Sequence, residues 1–276
     1  MPEGSGRSRR LGRYVRVWVV PVMLSAPALE GAVPLESFTG SYDVTLQLGG
    51  EIFTDEQLIF NNLLGLVSSV DLGPLPPAAQ LSAFHLESNG DRLFVLDTTV
   101  VLPGTALIAR PQDVIRWEGS TYDLVFQGQS QGVPPTAQID ALSRLPQGDL
   151  ILSFDVSLEL DGVVAHDEDL LRFDGASFSM LFDGSAAGIG PAFDVDAADI
   201  LPDGTLLISL DIGGQLGTAV FGDEDVLKWD GPSSVWSLTI DGSVLDGQLL
   251  AADLKSLAVG VIEELIFRDG FEAPAP

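Results

Sequence analysis

The chain has 276 residues, 46% of them hydrophobic, with no cysteine and a formal net charge of −27. Its mean hydropathy of +0.29 argues for a packed core despite that charge. The missing cysteines exclude disulfide frameworks, thiolate metal sites and thiol nucleophiles, and the acidity repels phosphate backbones and anionic lipid while drawing in cations, so no nucleic-acid partner is expected.

The N-terminus reads as a targeting segment. A basic stretch from Arg7 to Arg16 precedes an apolar run from Val17 to Leu24, and small residues suited to a signal peptidase follow at Ser25-Ala26-Pro27-Ala28 and Gly31-Ala32. The run is too short, and interrupted by Pro21, for a spanning helix of about 20 apolar residues. Residues 1–32 are therefore expected to be removed as a signal peptide, and Arg9-Arg10 leaves a twin-arginine route as the alternative to the ordinary secretory path. No later segment reads as transmembrane. The expected location is outside the cytoplasm: extracellular, periplasmic or at the cell surface.

From residue 41 onward the chain is a repeat. Asp113-Val114-Ile115-Arg116-Trp117-Glu118-Gly119 returns as Asp169-Leu170-Leu171-Arg172-Phe173-Asp174-Gly175 and as Asp225-Val226-Leu227-Lys228-Trp229-Asp230-Gly231, a step of 56 residues. Such a period marks units that bury their apolar faces only against neighbours. Each unit holds four short apolar runs, a to d. Between residues 138 and 183 they are Ile139 to Leu145, Asp149 to Leu160, Leu170 to Phe173 and Phe178 to Phe182. Leu150, Leu152, Phe154, Val156, Leu158 and Leu160 alternate along the second run, which predicts one strand with a single apolar face.

The ends suggest a closed ring. Ser41 to Leu48 matches Ser153 to Leu160, so the first unit starts in strand b. Leu250-Ala251-Ala252-Asp253-Leu254 matches Asp196-Ala197-Ala198-Asp199-Ile200, which supplies the missing strand a from the far end. The reading is an all-β, four-bladed β-propeller whose C-terminal strand closes the first blade. An open β-solenoid, a tandem β-sandwich or a dimer of open rings are the alternatives. One repeat domain is expected over 33–259, with a tail from 260 to 276.

Phe182-Asp183-Gly184-Ser185, Asp194-Val195-Asp196-Ala197, Leu201 to Ser209 and Asp223-Glu224-Asp225-Val226-Leu227 together resemble repeats of exported bacterial proteins of uncharacterised function. The terminus Ile266-Phe267-Arg268-Asp269-Gly270-Phe271-Glu272 is similar to a short acidic-aromatic end of many secreted bacterial proteins. The resemblance implies export and supplies no activity.

In a propeller, the b-to-c and d-to-a connections share one face, and the acidic clusters fall there. Asp167, Glu168, Asp169, Asp223, Glu224 and Asp225 enter strand c, while Asp194 and Asp196 open strand a. Clustered carboxylates are what a hard cation such as calcium needs, and these eight are the candidate metal ligands. Local turn capping by Asp is the competing account. Asp43, Asp97, Asp155 and Asp211 recur once per unit in strand b, which predicts carboxylates accepting backbone N–H groups at blade junctions.

Enzyme chemistry has few footholds. His85 and His166 are the only histidines and the only imidazole acid-base candidates. Gly128-Gln129-Ser130-Gln131-Gly132 has nucleophile-elbow spacing, but it lies in a d-to-a loop and not between a strand and a helix. Trp117, Trp229, Trp236 and Phe173 read as blade packing. The expectation is a secreted or cell-surface interaction module with an acidic, calcium-binding face and a protein or glycan partner. The alternative is a secreted hydrolase or lyase acting at the channel mouth.

Overall fold

The computed structural model describes residues 35–260 other than Glu36 and Ala78, so the expected signal peptide and nearly all of the tail lie outside the described residues. Four antiparallel four-stranded sheets form the blades, each ordered a-b-c-d. Blade 1 is Leu254–Val259, Phe38–Tyr42, Leu58–Asn61 and Val67–Val70. Blade 2 is Leu81–Leu86, Arg92–Leu96, Asp113–Trp117 and Tyr122–Gln127. Blade 3 is Ile139–Arg144, Leu150–Phe154, Leu170–Phe173 and Phe178–Phe182, and blade 4 is Val195–Ile200, Leu206–Leu210, Val226–Asp230 and Val235–Ile240.

The ring is closed, because each strand a contacts strand a of the next blade, from 1 through 4 and back to 1. One apolar cluster fills each junction. Val95, Val114 and Phe126 of blade 2 pack on Ile139, Leu152 and Leu171 of blade 3, for example, and the other three junctions are filled in the same way. The repeated aromatics pair where strand c turns into d: Trp117 with Tyr122 at 4.6 Å, Phe173 with Phe178 at 4.9 Å and Trp229 with Trp236 at 4.8 Å between ring centroids. These are packing contacts, as expected.

Two details differ from the expectation. The long apolar run of each unit is not one strand. In blade 3, strand b stops at Phe154, and Leu158–Leu160 and Val163–Ala165 form a separate hairpin. Val156 is exposed, whereas Leu158, Leu160 and Ala165 are buried against the junction of blades 2 and 3. The hairpin turns through Asp161 (φ 53°) and Gly162 (φ 81°), the positive-φ pair that a tight two-residue turn requires. Matching hairpins occur in the other three blades.

The closing strand is also offset from its expected register. Residues Gly242–Leu245 form a helical turn capped by the Asp241 side chain, and Leu249–Ala251 form a 3₁₀ turn. Strand a of blade 1 therefore begins at Leu254, so Asp253 is the counterpart of Asp194 and not of Asp199.

Candidate functional site

Strand direction separates the charges. Arg92, Arg116, Arg144, Arg172 and Lys228 all lie toward the face carrying the a-to-b and c-to-d turns, where carboxylates answer several of them. Arg144 pairs with Glu87 at 2.5 Å, Arg172 with Asp149 at 2.5 Å and Arg116 with Glu118 at 2.8 Å. On the opposite face, Arg110 and Lys255 are the only basic side chains among the described residues, set against the carboxylates of every b-to-c loop.

The eight candidate ligands fall into two sets. Glu168, Asp169, Glu224 and Asp225 are buried. Asp169 accepts the N–H groups of His166 (2.9 Å) and Gly184 (2.8 Å), and Asp225 those of Gly222 (2.8 Å) and Gly242 (2.9 Å). Asp113 does the same with Arg110 and Gly128, both at 3.0 Å. This brace ties the b-to-c loops of blades 2, 3 and 4 to the d-to-a loops that follow them. The approach is so close that a Cβ on Gly184 would sit 2.2 Å from the Glu168 carbonyl oxygen, which is why glycine follows Asp183. Burial pushes the Asp113 and Asp225 pKa values up, against the opposing pull of these N–H donors.

The strand-b aspartates are also braces. Asp97, Asp155, Asp211 and Asp43 accept the N–H groups of Gln80 (3.0 Å), Gln138 (2.7 Å), Asp194 (2.8 Å) and Asp253 (2.9 Å). Each bond joins strands a and b of the same blade and not two neighbouring blades, a correction to the expected location.

Of the other four, Asp196 lines the channel mouth, its charge and that of Asp167 both act on Asp194, and Asp223 is half-buried in the blade 4 b-to-c loop, where its backbone carbonyl accepts the Leu254 N–H (3.1 Å). Every strand a carries a bulge, and the extra residues are Ser82, Asp140, Asp196 and Lys255. A bulge re-aims its side chain, and all four residues line one axial cavity of about 120 Å³ with Tyr42 and Asp43. Lys255 Nζ bridges Asp196 (2.7 Å) and Asp253 (2.6 Å). On the opposite side of the ring Asp140 has no such partner. It is 5% exposed, and neither carboxylate oxygen receives a hydrogen bond.

The electrostatics follow from burial and crowding. Burial first, then the neighbouring Asp194 and Asp196 charges, push Asp140 well above the usual carboxylate range. Burial and Asp196 push Asp194 up to about 8, and burial and Asp196 push Asp253 up to about 7. Asp196 and Asp167 are raised too, burial leading in both. Burial opposes the Lys255 charge, but Asp196 and Asp253 hold the ammonium protonated. Among the described residues no three acidic or imidazole groups stand at metal-binding spacing.

The two histidines are on opposite faces and do not form one site. His166 is exposed in a b-to-c loop, its Nδ1 3.1 Å from Ser157 Oγ. His85 lines the other channel mouth, a cavity of about 440 Å³ shared with Glu87, Arg144 and Asp199. Its Nδ1 stands 3.8 Å from Asp199 Oδ1, too far for a hydrogen bond. Asp199 is instead held by Ser143 Oγ (2.9 Å) and Val259 N (2.7 Å). Burial lowers the His85 pKa, partly offset by the charges of Asp199 and Glu87. The Gly128–Gln131 segment is a 3₁₀ turn after strand d of blade 2.

No protein-family model and no curated protein matches the chain. Among solved structures, it is similar to an inactive virginiamycin B lyase variant from Staphylococcus aureus at 12% identity and a TM-score of 0.29, over 78% of this chain and 60% of that one. An auxiliary nutrient binding protein from Bacteroides thetaiotaomicron gives 10% identity and a TM-score of 0.34, over 72% and 40%. Regucalcin, a calcium-binding protein from Agrobacterium tumefaciens, gives 12% and 0.33, over 75% and 61%. The chain thus spans about 60% of the length of the lyase. The four-bladed ring itself rests on the strand order and closure, and among the described residues no helix is long and apolar enough to cross a membrane.

Proposed function

We propose that this chain is an exported or cell-surface interaction module that engages a protein or glycan partner through its acidic face. The observation that supports this reading most is charge asymmetry. The turn face pairs three of its five basic side chains with carboxylates, whereas the b-to-c face and channel mouth are left anionic, with Lys255 held between two carboxylates. Uncompensated like charge on one face costs stability and is most useful where a cationic or cation-bridged partner neutralises it. The ring is cross-tied by braces at every blade, which gives a rigid platform with little ordering cost on binding. The test is binding of the full chain to arrays of glycans and basic peptides, repeated with Asp194→Asn and Asp223→Asn together. The expected result is binding that the double variant weakens. Binding that maps to the turn face would overturn the reading.

A second reading, a hydrolase or lyase, is favoured by the 440 Å³ cavity, whose volume suits a small ligand. There His85, kept neutral by burial, is the base and Arg144 an anion anchor. It requires His85→Ala to abolish turnover of a polysaccharide or lactone without unfolding. His166→Ala should then leave turnover intact, since that residue lies on the other face.

A further inference from the structure

The channel mouth holds an unsolved electrostatic problem. Asp140, Asp194 and Asp196 form a mutually repelling trio: Asp140 is raised by both others, and Asp194 by Asp196. One internal cation is available, Lys255, and it is used on Asp196 and Asp253. The blade 3 side of the ring therefore keeps a carboxylate that is 5% exposed, has two unpartnered oxygens and faces a cavity. A third unpartnered oxygen, Asp194 Oδ1, belongs to the same trio. Buried polar atoms are almost always satisfied, so an orphaned carboxylate indicates a missing counterpart.

We infer that the channel mouth binds one divalent, oxygen-preferring cation through Asp140, Asp194 and Asp196, opposite the internal Lys255 ammonium. The inference rests on the acidic face being the working face, and it names the ligand class there. The donor set is all oxygen, without sulfur or imidazole, which selects calcium or magnesium over zinc or copper. The carboxyls do not stand at metal spacing among the described residues. They must close around the ion or reach it through water, and calcium tolerates the irregular shell that results, whereas magnesium demands a near-ideal octahedron. The geometry also moves the site away from Asp169 and Asp225, whose oxygens are occupied by backbone N–H groups.

The test is isothermal titration of calcium chloride, then magnesium chloride, into EDTA-treated full-length chain at fixed ionic strength. The expected result is one saturable calcium site with Kd at or below about 10⁻³ M, in the range of extracellular calcium modules, and much weaker magnesium binding. Asp140→Asn keeps the side-chain volume and should weaken calcium by about tenfold or more, whereas Glu159→Gln, exposed on the blade 3 hairpin, should change it less than about twofold. Asp194→Asn repeats the test should Asp140→Asn fail to fold. Absence of saturable binding, or calcium affinity indifferent to both trio variants, overturns the site. Partner binding that persists in EDTA, together with no saturable calcium binding, would leave the acidic-face reading standing while the cation site fails.

Discussion

Asp169→Ala should expose how much the repeated brace holds the ring together. The carboxylate is 3% exposed and accepts two backbone N–H groups from different loops, His166 at 2.9 Å and Gly184 at 2.8 Å. Removing it leaves both donors without a partner, at about 1–3 kcal/mol each, while the desolvation cost of the carboxylate itself is relieved. The net expectation is a loss of about 3 kcal/mol, equivalent to a fall in Tm of about 6–12 °C for a domain of this size. Urea unfolding followed by tryptophan fluorescence gives the comparison, with the shift appearing in the midpoint at constant slope. Glu159→Gln, exposed on the neighbouring hairpin, is the control and should stay within about 0.5 kcal/mol. A loss below about 1 kcal/mol for Asp169→Ala, or one no larger than the control, would show that the brace carries no weight.

Gly184→Ala tests the same junction from the other side. A Cβ 2.2 Å from the Glu168 carbonyl oxygen should cost at least about 1–3 kcal/mol by overpacking, and a neutral variant would mean the loops separate freely. The channel mouth should make stability fall with rising pH. Asp194 and Asp253 are raised by burial to about 8 and about 7, so the folded chain keeps protons that the unfolded chain releases near pH 4. That contribution is complete below about pH 4 and is lost as pH climbs through about 7–8. Without divalent cations Tm should therefore drop between about pH 4 and 8 and level off above it, and Asp194→Asn should flatten the slope; a flat wild-type profile refutes the protonated cluster. Finally, ending the chain at Asp253 removes the strand that pairs with Phe38–Tyr42, and cooperative unfolding should disappear. Retained cooperativity would show that the ring does not depend on its closure.

The blade count and the closure by the two ends were legible because the repeated Asp-Val/Leu-Ile/Leu-Arg/Lys-aromatic segment fixes strand c three times over. The b-to-c hairpins were hidden by their own pattern: alternation from Leu150 to Leu160 continues across a break, because hairpin residues Leu158 and Leu160 also bury against the neighbouring blade. Asp161-Gly162 was the available turn signal. The five-residue offset of the closing strand arose because Ala251-Ala252-Asp253 copies Ala197-Ala198-Asp199, while helical turns between 242 and 251 consume the intervening chain. For the site, the sequence placed the carboxylates on one face but could not sort them. Asp169 and Asp140 look alike in sequence, yet one is saturated by backbone donors and the other is turned into the channel by a bulge. That sorting depends on register, which residue types alone do not carry.

Hydrogen exchange of the full chain with and without calcium locates the working face most directly. Slowed exchange confined to 138–141, 194–197 and 253–256 is the outcome expected from a cation seated among Asp140, Asp194 and Asp196. No change anywhere, or change confined to the a-to-b turns around His85 and Arg144, would remove the channel-mouth carboxylates from the account and leave the 440 Å³ cavity as the place where this propeller meets its ligand.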